Sequence, residues 1–141
     1  MEELRFEKFI GENETVDHYL SQSITNYGLL QHNGDAPVKL FCSCKNNDGV
    51  LVGAVMGTKT LNMFFISHIF VEEKFRNKKI GSKLLSQIED SAKDVGCTIL
   101  RLNTFNHLSH RFYEKNGFTE NIRINNYMKG FDLVFYEKSI C

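Results

Sequence analysis

The chain has 141 residues, of which 42% are hydrophobic and 12% aromatic, and it contains a single proline. This length and composition are typical of one folded domain and not of a disordered or fibrous protein, so we expect a single domain over residues 1–141. The 17 basic and 17 acidic residues cancel, which leaves no overall field to attract nucleic acid or an anionic membrane, and an anion would need a local binding arrangement.

The first residues do not resemble a targeting signal. The start, MEELRFEKFIGENE, lacks the basic end and apolar run of a signal peptide, and no apolar stretch is long enough to cross a bilayer. The cysteines have no paired metal spacing and are expected to be buried free thiols: Cys42, Cys44, Cys97 and Cys141. We therefore expect a reduced, cytoplasmic setting without a membrane partner.

The N-terminal third predicts a strand, a helical region and a hairpin. Residues 4–10 have the pattern of a first strand, and Thr15 opens a polar stretch whose apolar residues recur at the spacing of one or two helices. Residues 38–45 then alternate as in a strand, turn residues follow at 47–49, and VLVGAVMG completes the pattern of a β-hairpin.

The remaining sequence predicts a buried strand followed by alternating elements. The run MFFISHIFV at 63–71 is apolar on both faces, as expected for a central strand. After a charged turn, apolar residues recur at helical spacing from Ile80 to Val95, and Gly96 is placed to end that helix. The order is completed by a strand at 98–105, a short helix near 107–115, and strands near 118–124 and 131–138.

The start of the helix at Ile80 has the features of an anion site. A helix start leaves four N–H groups unpaired and carries about half a positive charge. Asn77 is the available cap, Gly81 has no Cβ to block a ligand, and cations surround the helix start: Arg76, Lys78, Lys79 and Lys83. A basic cluster alone is usually a solvated surface, but Gly81 and the following helix favour a phosphate site. The common nucleotide loops G-x-x-x-x-G-K-[ST] and G-x-G-x-x-G do not fit this segment.

Two blocks of sequence resemble the GNAT superfamily of N-acetyltransferases. In residues 71–85, VEEKFRNKKIGSKLL, Arg76 and Gly81 fit the family's coenzyme A signature [RQ]-x-x-G-x-[GA], while Lys79 replaces its first glycine. Residues 106–118, NHLSHRFYEKNGF, resemble the family's N-x-x-A-x-x-[FL]-Y-x-x-x-G-F, with Ser109 in place of alanine. The resemblance extends over residues 38–138.

The resemblance implies an α/β (α+β) fold with a mixed, mostly antiparallel sheet of about six or seven strands, flanked by about four helices and splayed between the fourth and fifth strands. It also implies that acetyl-coenzyme A is the cosubstrate. The family pairs the pantetheine arm with backbone of the fourth strand, here at Ile69, Phe70 and Val71. The residues expected at the diphosphate are Arg76, Asn77, Lys78, Lys79, Ile80, Gly81 and Ser82.

The second block supplies the candidate acid. Tyr113 matches the family's tyrosine that protonates the coenzyme A sulfur, and a phenol with a pKa near 10 is a suitable partner for a thiolate. Asn106 and Ser109 are expected beside the cofactor. His107 and His110 have the spacing of one helical turn, but without a second pair they more often cap or solvate a helix, so we predict no metal.

The general base is not fixed by the sequence. Side chains alternate along a strand, so if Ile69 and Val71 offer their backbone alongside the cofactor, Phe65 and Ser67 share one face and His68 takes the other, which disfavours His68 as the base. Ser67 is therefore the catalytic candidate, through a water that it would hold. A backbone-held water and an amine that arrives neutral are open alternatives. The oxyanion donor is expected to be a backbone N–H near Ile69 or Phe70.

The expected function is transfer of an acetyl group from acetyl-coenzyme A to a primary amine of a small molecule, by direct attack in a ternary complex. The alternatives are a protein or peptide acceptor, and a non-catalytic acyl-coenzyme A sensor, which the absence of a carboxylate on strand 63–71 suggests. The C-terminal segment FDLVFYEK is the expected pairing edge of a possible homodimer.

Overall fold

The computed structural model describes residues 2–31, 35–105 and 109–141. The chain divides into two compact units, Met1–Ala36 and Pro37–Cys141. The single domain expected over residues 1–141 stays a prediction. No helix in the described ranges combines the length and the apolar character that a membrane span requires.

The first unit contains one helix, α1, which extends over Glu14–Gln31. Asn13 stabilises its start, because its Oδ1 accepts a hydrogen bond from the Val16 amide at 3.1 Å. The expected helical region is confirmed as one helix. The strand expected at 4–10 is wrong, because a strand needs a neighbour to pair its backbone groups, and none of the strand pairings includes this segment.

The second unit is built on one sheet. Its strands are β1 (Val38–Lys45), β2 (Leu51–Thr60), β3 (Met63–Val71), β4 (Ile99–Phe105), β5 (Thr119–Met128) and β6 (Phe131–Ser139). They lie in the order β1-β2-β3-β4-β6-β5, and all neighbours are antiparallel except β3 and β4, which are parallel. The helices are α2 (Ile80–Asp94) and α3 (His110–Lys115), and a 3₁₀ turn at Glu73–Phe75 precedes α2.

These elements confirm the order expected after residue 37, although the described residues contain three α-helices and not about four. The C-terminal strand differs from expectation in its position. β6 lies between β4 and β5, so both of its sides are already paired, and the expectation that FDLVFYEK is a free edge is wrong. The four cysteines are free, as expected, and Cys97 is buried; the expected burial is wrong for Cys42 and Cys44, which are half-buried, and for Cys141, which is exposed.

The core of the second unit lies between the sheet and α2. The helix buries Leu84, Leu85, Ile88 and Ala92 in one cluster with sheet residues that include Phe64. Full burial of a leucine or isoleucine side chain stabilises the fold by about 1.5–3 kcal/mol. This packing fixes α2 against β3, and so fixes the position of the α2 N-terminus.

The sheet opens between its two parallel strands. β3 and β4 pair only at Met63–Ile99, Phe64–Leu100 and Phe65–Arg101, although β3 continues to Val71 and β4 to Phe105. The gap between residues 66–71 and 102–105 is called the split below and confirms the expected splay. It lies between the third and fourth strands of this sheet, because the segment expected as the first strand, 4–10, is not part of it.

A β-bulge interrupts β3 beside the split. Met56 pairs with His68 but the next residue, Gly57, pairs with Ile66, so Ser67 is an extra residue in β3. Gly57 permits this irregularity, because a Cβ there would overlap the carbonyl oxygen of Phe65 and would lie 2.6 Å from the Phe64 ring. The bulge changes which side chains of β3 share a face.

Candidate active site

The backbone of β3 offers hydrogen-bonding groups to the split. The Glu72 amide donates to the Val52 carbonyl at 2.8 Å, and the alternation of an antiparallel ladder then assigns bonded pairs at Phe70–Ala54 and His68–Met56. The N–H and C=O groups of Ile69 and Val71 therefore point away from β2, toward the split. Phe70 does not share this property, because its backbone groups face β2.

The bulge places His68 differently from the expected alternation. Phe64, Ile66 and Ile69 belong to the core side, whereas His68 and Phe70 are exposed on the opposite, open face of the sheet. The expectation that His68 takes the face opposite to Phe65 is wrong, because the extra residue, Ser67, shifts the alternation by one for the residues that follow it. Phe65 and His68 lie on the same open face.

Ser67 occupies the bulge itself. Its side chain is exposed, and its Oγ donates a hydrogen bond to the Met56 carbonyl oxygen at 3.3 Å. The hydroxyl is thus directed to the neighbouring strand, and its expected catalytic role stays a prediction.

The first turn of α2 has free backbone amides. Its N-cap is Lys79, which has a left-handed φ of 63° and makes no side-chain capping bond. The first helical bond runs from the Lys83 amide to the Lys79 carbonyl at 3.1 Å, so the amides of Ile80, Gly81 and Ser82 precede the helical ladder. Asn77, the cap considered from the sequence, also has a left-handed φ, of 62°, and is not the N-cap.

Gly81 lies where three elements pack together: α2, α3 and the end of β3. A Cβ on this residue would lie 3.0 Å from the ring of Phe112 on α3 and 3.9 Å from Cγ2 of Val71 on β3. The observed reason for glycine here is therefore close packing against Phe112. That packing brings the α2 N-terminus, the end of β3 and α3 together beside the split.

Arg76 is bound to the end of β3. Its Nε donates to the Val71 carbonyl oxygen at 2.9 Å, and its guanidinium lies 5.5 Å from the centre of the Phe70 ring. Lys78 lies in the same way over Phe75, at 5.4 Å. These contacts fix the segment between β3 and α2 and leave its positive charge next to the free amides.

Tyr113 is buried on α3 and is surrounded by aromatic rings. Its ring centre lies 5.3 Å from that of Phe112, 5.9 Å from that of Phe118 and 5.8 Å from that of Tyr136. Burial, with a smaller contribution from Tyr136, raises the pKa of Tyr113 above its ordinary value of 10. The phenol therefore holds its proton through the neutral range.

The sequence did not reveal a series of hydrogen-bonded side chains next to Tyr113, formed by Tyr136, His110 and Glu114. His110 Nδ1 is hydrogen-bonded to the hydroxyl of Tyr136, and His110 Nε2 lies 3.1 Å from Glu114 Oε1. Burial is the largest cause that raises the pKa of Tyr136, and the nearby carboxylates of Glu120 and Glu114 raise it further. Arg123 acts in the opposite direction. The only sequence signal was the i, i+4 spacing of His110 and Glu114, which does not reveal Tyr136.

Asn106 and His107 lie outside the described residues. Ser109 is the N-cap of α3 and makes no side-chain capping bond. Within the described ranges no group of three His, Cys, Asp or Glu side chains could hold a metal ion, and the absence of a metal stays a prediction.

Known proteins resemble this chain in sequence and in structure. A model of the Acetyltransferase (GNAT) family matches residues 1–118. The protein named acetyltransferase Atu2258, of Agrobacterium fabrum (strain C58), is 29% identical over 94 residues, which are 67% of this chain and 69% of that protein. The aminoglycoside N(6')-acetyltransferase type 1 of Acinetobacter baumannii is 32% identical over 88 residues, or 61% of this chain and 54% of that protein.

A crystal structure from Agrobacterium tumefaciens has the same fold. It matches with a TM-score of 0.87 and 23% identity, and the alignment covers 96% of this chain and 99% of that one. At this level of identity the likeness bears on the fold alone.

Proposed function

The chain belongs to the acetyltransferase (GNAT) family, and on that premise we propose that it transfers the acetyl group of acetyl-coenzyme A to a primary amine of a small molecule. The acyltransferase class follows from the family and from the relatives named as acetyltransferases. The main support for the detailed proposal is the meeting of three elements at Gly81: the open edge of β3, the free amides of α2, and α3 with its buried Tyr113.

The free amides of α2 fit a diphosphate. The amides of Ile80, Gly81 and Ser82 would donate to its oxygens, and the positive end of the helix favours a negative group. Lys78 and Lys79 add charge, while Arg76 acts by holding the Val71 carbonyl. Along β3, the backbone of Ile69 and the Val71 amide would pair with the amides of the pantetheine arm. Asn106 and Ser109 keep their proposed places beside it.

Tyr113 is the proposed general acid. Acetyl-coenzyme A would supply the acetyl group, and coenzyme A would leave as the free thiol. Tyr113 would donate its phenolic proton to the departing sulfur, and its raised pKa keeps that proton available at neutral pH. Activity that needs the protonated phenol is therefore present below the pKa of Tyr113 and is lost as the pH rises through that pKa.

The amine side of the reaction needs an acceptor for one proton. His68 is exposed on the open face at the bulge beside the split, and we propose that it takes the proton from the attacking nitrogen, directly or through a water held by Ser67. The Ile69 N–H would donate to the carbonyl oxygen of the acetyl group. The new N–C bond replaces the C–S bond, with one proton accepted by His68 and one given by Tyr113.

The acceptor is proposed to be a small amine because the relative from Acinetobacter baumannii is named for a small-molecule acceptor. This chain spans about half of that protein, so the aminoglycoside itself is not carried over. A peptide acceptor and a non-catalytic acyl-coenzyme A sensor are the other outcomes of the test. The cytoplasmic setting and a homodimer stay proposals.

The test is an acetyl-transfer assay that follows thiol release with a panel of small monoamines, polyamines, an aminoglycoside and a peptide with a free amine. We expect turnover with at least one small amine. Turnover with the peptide alone would replace the acceptor class, and cofactor binding without turnover on any amine would favour the sensor.

The variant Tyr113→Phe tests the acid. Removing a positioned acid is expected to lower kcat by roughly 10²–10⁴-fold, while the Kd for acetyl-coenzyme A, measured by calorimetry, changes little. The control is Tyr127→Phe, which makes the same change at an exposed tyrosine of β5. Equal thiol release by the parent and by Tyr113→Phe would remove Tyr113 from this role.

A further inference from the structure

The buried hydroxyl of Tyr136 links β6 to α3. Tyr136 is 1% exposed, and its hydroxyl is hydrogen-bonded to Nδ1 of His110, 26 residues earlier. The other ring nitrogen of His110 faces the Glu114 carboxylate at 3.1 Å. A carboxylate only accepts, so Nε2 donates to Glu114; in a neutral imidazole Nδ1 is then the acceptor, and the Tyr136 hydroxyl is the donor. In this arrangement the hydrogen bonds run in one direction, from Tyr136 through His110 to Glu114.

This link matters because α3 is too short to hold its own orientation. The helix has six residues, His110–Lys115, and isolated helices of such length are unstable in water. Its rotation about its own axis therefore depends on tertiary contacts. His110 and Tyr113 are three residues apart and so lie on the same side of the helix, where both face Tyr136.

We propose that Tyr136 and His110 are positioning residues that set the direction of the Tyr113 hydroxyl, an inference that rests on the proposed role of Tyr113 as the acid. The Tyr136–His110 bond fixes the rotation of α3, and the Tyr136 ring, 5.8 Å from that of Tyr113 and tilted by 38°, supports the Tyr113 ring. Glu114 acts one step further away, by holding His110 in the tautomer that accepts from Tyr136. None of the three touches the reacting atoms.

The first arm of the test is a double-mutant cycle. Tyr136→Phe removes only the hydroxyl and keeps the buried ring, and it is expected to lower kcat roughly tenfold, since small displacements of a catalytic group have effects of this size or larger. The KM for acetyl-coenzyme A should stay within about twofold of the parent because the amides of α2 are untouched. In a Tyr113→Phe background, Tyr136→Phe should cause no further loss of kcat.

The second arm restores the acceptor. His110→Leu removes Nδ1 and should lower kcat as Tyr136→Phe does. His110→Asn places an amide oxygen near the position of Nδ1, so it can still accept from Tyr136 and should recover much of the lost kcat. A purely structural role in packing would make His110→Leu equal to or better than His110→Asn. That result, or additive losses in the cycle, would overturn the proposal.

The third arm does not depend on turnover. In protein with ¹³C-labelled tyrosine rings, the Tyr113 resonances, assigned by their absence in Tyr113→Phe, should shift or broaden in Tyr136→Phe and stay unchanged in Tyr127→Phe. Unchanged Tyr113 resonances in Tyr136→Phe would overturn the positioning role. An inactive parent would instead sink the proposed function, while this spectrum would still decide whether Tyr136 orients Tyr113.

Discussion

The two sides of the split contribute to the site in different ways. On one side, the β3–α2 corner (residues 69–82) offers backbone groups: the N–H of Ile69 and Val71 and the first amides of α2. On the other side, the α3–β6 contact (His110, Tyr113 and Tyr136) offers side chains whose positions depend on one another. Binding is thus expected to depend on the backbone, and proton transfer on side-chain identity.

This difference bears on the one departure of this chain from the family's coenzyme A signature. Lys79 occupies a position that is glycine in the family's signature, and its φ of 63° shows what that glycine is for. The amides of Ile80 and Ser82 still precede the helical ladder, whatever side chain residue 79 has. The α3–β6 contact has no such freedom, since the loss of one hydroxyl or one ring nitrogen would break its hydrogen bond.

The largest effect expected on cofactor binding comes from the backbone amide of a single residue, Ser82. Ser82→Pro removes an amide in the first turn, where proline is compatible with a helix, and it should weaken acetyl-coenzyme A binding by about 1.5–3 kcal/mol, the range for a hydrogen bond to a charged group. The matched variant Ser82→Ala keeps the amide and should stay within about threefold of the parent Kd. Calorimetry measures both.

Equal weakening by the two Ser82 variants would break the comparison, because the hydroxyl and not the amide would then bind the cofactor. Thermal unfolding of both variants is the control for helix integrity. A large drop in Tm for Ser82→Pro alone would require the affinity to be compared at a temperature where both are folded.

The second prediction concerns the bulge that sets the phase of β3. Gly57→Ala would place a Cβ against the Phe65 carbonyl and 2.6 Å from the Phe64 ring, so it should lower the free energy of unfolding by about 1–3 kcal/mol. Gly28→Ala is the matched control, because a Cβ there meets nothing within 4 Å on α1 and should stabilise by about 0.5–1 kcal/mol. Urea unfolding measures both.

If Gly57→Ala left the free energy of unfolding unchanged, β3 would be able to shift its register without cost. The alternation of its side chains would then be free to change, and the assignment of His68 to the open face would lose its support.

Sequence patterns predicted the elements whose signals are local. The alternation at 38–45 with its turn, the apolar run at 63–71 and the amphipathic helix from Ile80 were all recovered, because each depends on residues near one another in the chain. The strand expected at 4–10 failed, because pairing depends on a partner that no local pattern reveals.

Within the site, too, only the features with a local sequence signal were predictable. The free amides of α2 followed from a weak cap, which is a local property. The bulge in β3 did not follow from a local pattern, because it lies opposite Gly57 on the neighbouring strand. A single inserted residue reverses every assignment of faces after it. The contact between His110 and Tyr136 was equally invisible, since 26 residues separate them.

The smallest expected effect tests whether Lys79 stores strain at the corner. A residue other than glycine in the left-handed region costs roughly 1–2 kcal/mol, part of which is offset by the extra freedom that glycine has in the unfolded chain. Lys79→Gly should therefore raise the free energy of unfolding by about 0.5–1 kcal/mol. Lys78→Gly is the matched control, because it removes one charge at the same place but its φ is not positive, and it should lower stability slightly. Urea unfolding gives the difference between the two variants, and the shared loss of charge cancels in it. If Lys79→Gly is no more stable than Lys78→Gly, the lysine is held without strain, and the family's glycine at this position would need another reason than the backbone.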